Sequence, residues 1–362
     1  MQRPESVGRG LVLAAVATGF ALRLWLAIGN YGNYDQTSFA IVAEIMERGG
    51  NLYKETIRYN YSPVWAYCLL VLKRIAVTFG LPLYATVKVF LTLADLGNTW
   101  LLGVIAERDR PGTGRLAMLA YALNPIAIAL VGHHGQIEPL ASLPVLGAIA
   151  LSLRPLGGVG LACVWLLLTT GLLIKHIVFF VVLAVLVSVW RGVLRPLLLF
   201  GASLGVFGLS FLPFLPEGRE GIYNNLLRYA AQGTNYGLSG FLPLPLAQVL
   251  FYAGMTAVVF LLRHRIRASA PEAASISAVG TLAFMTRMGE AYLLLGATFG
   301  ALMRGPGYFI YSATGYIFLL VGVNNLQMLT MIEEPWGALF LSLVACFLLQ
   351  LLAARQRSRA ST

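Results

Sequence analysis

Charge is what this chain has least of. Only 11% of its 362 residues are Asp, Glu, Lys or Arg, whereas 58% are hydrophobic and the mean hydropathy is +0.76. Soluble domains carry about a quarter charged residues, so a water-soluble globular fold is excluded. Acidic residues are the scarcer kind, 15 against 26 basic, and lysine supplies only 4 of those 26. A formal charge of +11 raises the question of nucleic acid, but the arginines fall in short clusters between apolar runs. That is the pattern of membrane-topology signals, and it excludes nucleic acid as the partner. Cysteine is nearly missing too: Cys68, Cys163 and Cys346 lie far apart inside apolar runs and define neither a disulfide framework nor a thiolate metal site. Short segments of alternating polarity are absent, which excludes a β-barrel. There is no internal repeat.

What is present is a series of apolar runs recurring from residue 11 to residue 352. Each is near the roughly 17 to 25 residues that cross ~30 Å of hydrocarbon as a helix. The basic clusters are Arg3 and Arg9; Arg108, Arg110 and Arg115; Arg154; Arg191 and Arg195; Arg263, Arg265 and Arg267; Arg304; and Arg355, Arg357 and Arg359. Holding all of them on the cytoplasmic side predicts about twelve crossings, with both termini in the cytoplasm. Residues 63–80 are then interfacial, because a crossing there would put every later cluster outside, and Lys73 and Arg74 interrupt the run. Arg23 interrupts the first run and no small-x-small cleavage site follows, so that run reads as a retained helix. The expected fold is all-α, a polytopic membrane protein forming one domain over residues 1–362. Its outer side carries two long loops, 29–83 with interfacial helices and 216–242.

The first outer loop holds the most informative carboxylate. Asp35 precedes Thr37 and Ser38, either of which caps a helix running to about Arg48, where Gly49 and Gly50 end it. Phe39, Val42 and Met46 share one face, expected towards lipid. Two readings of Asp35 stand side by side: a helix-capping or solvated carboxylate, and a general base, which needs a carboxylate within hydrogen-bond reach of a reacting hydroxyl. Arg58, Tyr59 and Tyr61 ahead of Pro63 fit a sugar pocket or aromatic anchoring at the interface.

Further along, Asn124-Pro125 should break the third span, and His133, His134, Gln136 and Glu138 follow it. On a helix the two histidines point to different faces, so sugar hydroxyls suit this group better than a metal ion. Lys175 and His176 sit at an outward turn, where a cation either snorkels to water or faces a phosphate. Arg287 and Glu290 occupy another such turn, either paired with each other or divided between phosphate and sugar. Asp95, mid-helix, reads as a structural polar contact within the bundle.

From Tyr34 to about Phe180 the order of these features resembles the C superfamily of polytopic glycosyltransferases, and in particular the glycosylphosphatidylinositol mannosyltransferases and related bacterial enzymes. The carrying residues are Asp35, Gly49 to Tyr53, Tyr59 to Pro63, Asp95, Asn124-Pro125, His133 to Glu138 and Lys175, with Gly289 to Tyr292 resembling a His-Glu-x-Tyr segment. Asp35 is followed by Gln36 and Thr37 where the anchor mannosyltransferases have Asp-x-Asp, and Gly289 replaces the histidine. The resemblance implies inverting transfer of a monosaccharide, mannose first, from a polyprenyl-phosphate sugar to a lipid-linked or cell-envelope acceptor. Asp35 would be the base, Arg58, Tyr59, Tyr61, His133, His134, Gln136, Glu138, Lys175, His176, Arg287 and Glu290 would bind substrate, and no metal cofactor is expected. It also implies a bacterial inner-membrane enzyme working on the extracytoplasmic side. The competing class is a multi-pass transporter or lipid flippase, to which many helices and intramembrane charges are equally natural.

Overall fold

The computed structural model describes residues 8–227, 237–322 and 336–360. Arg3 and residues 228–236, part of the long loop expected at 216–242, lie outside the described residues. Among those described the chain is helical, with no strand. Five helical stretches are long and apolar enough to cross a membrane: Arg9–Gly29 (α1), Leu83–Asp109 (α5), Leu194–Leu226, Leu244–Ile266 and Trp336–Arg359. A sixth arises if the bent pair Gly114–Ala122 (α6) and Pro125–His134 (α7) is one span. Five shorter apolar helices accompany them: Glu138–Ser152 (α8), Gly158–Ile174 (α9), His176–Val189 (α10), Glu290–Met303 and Pro306–Val321.

Local chemistry accounts for the breaks. Pro125 cannot donate to the preceding turn, so α6 and α7 meet at 47°. Asn124 repairs that break: its side chain accepts from the Ala127 amide at 3.2 Å and donates to Tyr308 Oη at 3.0 Å and Ser312 Oγ at 2.8 Å. From Ile128 to His134 the helix widens to a π-helix and stops at Gly135, whose φ of +69° lies in the left-handed region that glycine adopts without strain.

Two interior charges, on α1 and α5, compensate each other. Arg23 on α1 pairs with Asp95 on α5 at 2.8 Å, donates to the Ala122 carbonyl at 2.7 Å, and both side chains are buried. Asp95 also accepts from the Tyr121 hydroxyl, which lies 3.0 Å from Thr298 Oγ1. Asp95 is thus the structural contact expected of it, joining α1, α5, α6 and the helix Leu293–Gly300.

Two apolar clusters result. The larger fills the bundle. The smaller joins Tyr34–Glu47 (α2), Leu52–Glu55 (α3) and Pro63–Thr78 (α4) to Val87, Leu91, Ile137, Phe211, Phe214 and Ile222. Here two expectations need correction. The α2 cap is Asn33, whose side chain accepts from the Asp35 amide at 3.1 Å, and not Thr37 or Ser38. Phe39 and Val42 face α4 and not lipid, since Phe39 meets Trp65 edge-on at 5.4 Å and both are buried. Lys73 on α4 bridges Glu44 at 2.5 Å and Glu47 at 2.6 Å, which fixes the pair along its rim. The segment expected as a loop from 216 is helical at its start: Leu215–Ile222 packs on α3 through Ile222, and Phe214 just before it meets Tyr53 edge-on at 5.5 Å.

Candidate active site

Asp35 lies in the first turn of α2, held there by a tight crossing. Gly32 precedes it with φ of +96°, and a Cβ at that position would stand 2.7 Å from the His133 carbonyl. Only glycine lets the turn between α1 and α2 lie this close to the end of α7. Across that contact Gln36 Nε2 donates to the His134 carbonyl at 2.8 Å, and Asn33 Nδ2 lies 3.4 Å from His134 Nδ1. Gln136 Nε2 then donates to Asp35 Oδ2 at 2.6 Å, with Asn33 Nδ2 at 3.3 Å from the same oxygen. The carboxylate is half-buried and fixed from two sides.

Two residues after Gln136, Glu138 opens α8 and meets Lys175 at the end of α9, Nζ to Oε1 2.5 Å, with both side chains buried. The Lys175 ammonium also lies 5.2 Å from the Tyr61 ring and 5.4 Å from the Tyr292 ring. A cation between two aromatic faces and a carboxylate is held by charge and by the ring quadrupoles together. Glu290 and Tyr292 lie in the first turn of the apolar helix Glu290–Met303, and Arg287 lies in the connection to it from the helix Ala270–Phe284. Arg287 is half-buried and, among the described residues, has no hydrogen-bond or ion-pair partner.

The other expected site residues fall around this centre. Arg58 stacks over the Tyr34 ring at 4.3 Å, next to Asp35 in the chain. Tyr59 is buried and spends its hydroxyl on the Ser62 carbonyl at 2.6 Å, while the Tyr61 carbonyl accepts from Tyr53 at 2.7 Å. Tyr59 thereby holds the loop that presents Tyr61. His133 and His134 sit at the end of α7 with ring centroids 5.3 Å apart. His176 turns towards Phe207, 6.4 Å away. Several buried polar atoms around the centre, His133 Nδ1, His134 Nε2 and Glu138 Oε2, have no protein partner among the described residues.

Sequence reasoning did not find three of these contacts: Asn33 at the cap, Gln136 as the donor to Asp35, and the Glu138–Lys175 pair. Nothing local signals the last, because its partners are far apart in the chain. The Gly-Gln step at 135–136 was the available sign of the second.

No protein-family model matches the chain, and no curated protein matches it by sequence. Among solved structures the chain is similar to ArnT from Cupriavidus metallidurans bound to undecaprenyl phosphate, with a TM-score of 0.53 and 14% identity over 97% of this chain and 78% of ArnT. ArnT in the apo state gives the same score at 15% identity, over 96% of this chain and 77% of that one. At such identity the likeness is one of fold: the chain has an ArnT-like arrangement of helices.

Proposed function

We propose that this protein is a glycosyltransferase of the C superfamily that moves a monosaccharide from a polyprenyl-phosphate donor to a lipid-linked or envelope acceptor. The observation that carries the proposal is the fixed Asp35 carboxylate, joined through Gln136, Glu138 and Lys175 to the turn holding Arg287 and Glu290. The shared fold with ArnT, a member of that superfamily crystallised with undecaprenyl phosphate, supports a lipid phosphate as the donor's carrier. Mannose as the sugar rests on the sequence resemblance alone.

In this reading Asp35 takes the proton from the acceptor hydroxyl as its oxygen attacks the anomeric carbon. The bond from that carbon to the phosphate oxygen breaks, and the polyprenyl phosphate leaves with the electron pair. A single displacement inverts the anomeric centre. Arg287 receives the phosphate, and Lys175, already bound to Glu138, borders it. Glu290 and the histidines meet sugar hydroxyls. A transporter has no need of a carboxylate fixed by a dedicated amide donor at the substrate face, and this favours the enzyme. Purified protein given radiolabelled polyprenyl-phosphate mannose and a lipid extract should form a labelled glycolipid, in the presence of chelator as in its absence. No product from any polyprenyl-phosphate sugar would refute the proposal.

Arg287→Ala should raise the dissociation constant for undecaprenyl phosphate about 10- to 100-fold, the range of a lost hydrogen bond to a charged group. Binding measured on purified protein checks this, and an unchanged constant would remove Arg287 from the phosphate site.

We also place the site outside the cytoplasm, with about twelve crossings and both termini inside, at a bacterial inner membrane. Ile57, 81% exposed on the loop after α3, should then label from outside as Ile57→Cys. Pro111→Cys and Arg265→Cys should label only after the membrane is opened. Outside labelling at position 111 would overturn this orientation.

A further inference from the structure

Lys88 is fully buried on α5, and among the described residues no carboxylate lies within ion-pair distance of it. A cation buried without a counter-ion is costly and demands polar compensation. Its ammonium, with three protons to donate, lies among four oxygens: the Asn30 carbonyl at 2.8 Å, Asn30 Oδ1 at 3.1 Å, the His133 carbonyl at 3.1 Å and the Leu26 carbonyl at 3.3 Å. These acceptors belong to the end of α1 and the end of α7, the two segments whose crossing holds Asp35. The stem does similar work. A Cβ on Gly135 would stand 2.5 Å from Lys88 Cγ and 2.5 Å from Gln36 Nε2, so the turn leading to Gln136 rests directly on the lysine and on the residue after Asp35.

We infer that Lys88 is a positioning residue: its ammonium locks the end of α1 to the His133–Gly135 turn and so sets the hydrogen bond from Gln136 to Asp35. The inference rests on the catalytic role proposed for Asp35. Lys88 touches no substrate in this scheme. Two links separate it from the reacting atoms, first to the His133–Gly135 turn and then through Gln136 to the carboxylate. A misplacement of about 1 Å in a reacting group costs on the order of 10²-fold in rate.

The test uses the purified full-length protein and two readouts. Lys88→Met keeps the stem and removes the ammonium. It should lower kcat for transfer from polyprenyl-phosphate mannose about 10²-fold, leaving undecaprenyl phosphate binding unchanged. Combined with Gln136→Leu it should cost little more than Gln136→Leu alone, because both act on one contact, whereas a merely structural lysine would add its cost in full. The second readout needs no turnover: carbodiimide labelling of Asp35, followed by mass spectrometry, should quicken about 10-fold in Lys88→Met as the carboxylate loses its fixed donor. Should Lys88→Met not fold, Asn30→Ala removes one acceptor, leaves the ammonium in place, and should quicken the labelling about 3-fold, as for a weakened neutral hydrogen bond. A wild-type protein that transfers no sugar counts against the function, while the labelling still judges Lys88. Unchanged labelling of Asp35 in the variant that folds, or additive losses with Gln136→Leu, would overturn the inference.

Discussion

Asp35→Asn should lower sugar transfer by roughly 10²- to 10⁴-fold, the usual cost of losing a general base, with donor binding and folding preserved. The structure makes this a clean substitution. Asp35 does not cap α2; Asn33 does. An amide at position 35 still accepts from Gln136 through its carbonyl oxygen, and what the helix loses is a first-turn charge worth about 0.3 to 1 kcal/mol at most. Steady-state transfer beside a thermal unfolding curve separates the two readings of this residue. Near-normal turnover would reject Asp35 as the base, and Glu138 would be the next carboxylate to test.

The second large effect concerns stability. Glu138 and Lys175 are both buried and bonded to each other, so removing one leaves its partner charged in a medium that solvates it poorly. Lys175→Met or Glu138→Leu alone should destabilise the protein by about 3 to 5 kcal/mol, whereas the double variant should be far closer to wild type. Thermal unfolding of the three proteins in one detergent checks this. Equal and additive losses would mean that the two side chains contribute independently, against the short contact between them. The double variant also separates structure from binding: stability recovered in it without recovered transfer would assign the pair to the substrate.

Parts of the site were legible in the sequence because their chemistry is local. Asp35 after a turn, the polar run His133 to Glu138 after a proline break, and Lys175 between apolar segments each stand out against a chain so poor in charge. Asp95 was readable as a structural group for the same reason, but its partner was not. Arg23 lies 72 positions earlier, and apolar periodicity carries no information on which helices meet. The α2 face shows the same limit: spacing identifies Phe39 and Val42 as one apolar face, yet lipid and the Trp65 side of α4 are equally apolar partners. The contacts of Lys88 are not legible in sequence, since its acceptors are mostly main-chain carbonyls, which leave no mark there. The crossing of α1 and α7 brings these groups together, and Gly32 and Gly135 permit it.

The central claim is that the donor is a sugar carried on a lipid phosphate. The most direct measurement offers the purified protein, with one lipid acceptor extract, either polyprenyl-phosphate sugars or the corresponding sugar nucleotides, each radiolabelled in the sugar. Transfer to lipid from at least one polyprenyl-phosphate sugar, lost in Asp35→Asn, and none from the nucleotides, is the predicted result. Transfer from a sugar nucleotide, or an equal product yield in Asp35→Asn, would contradict the account.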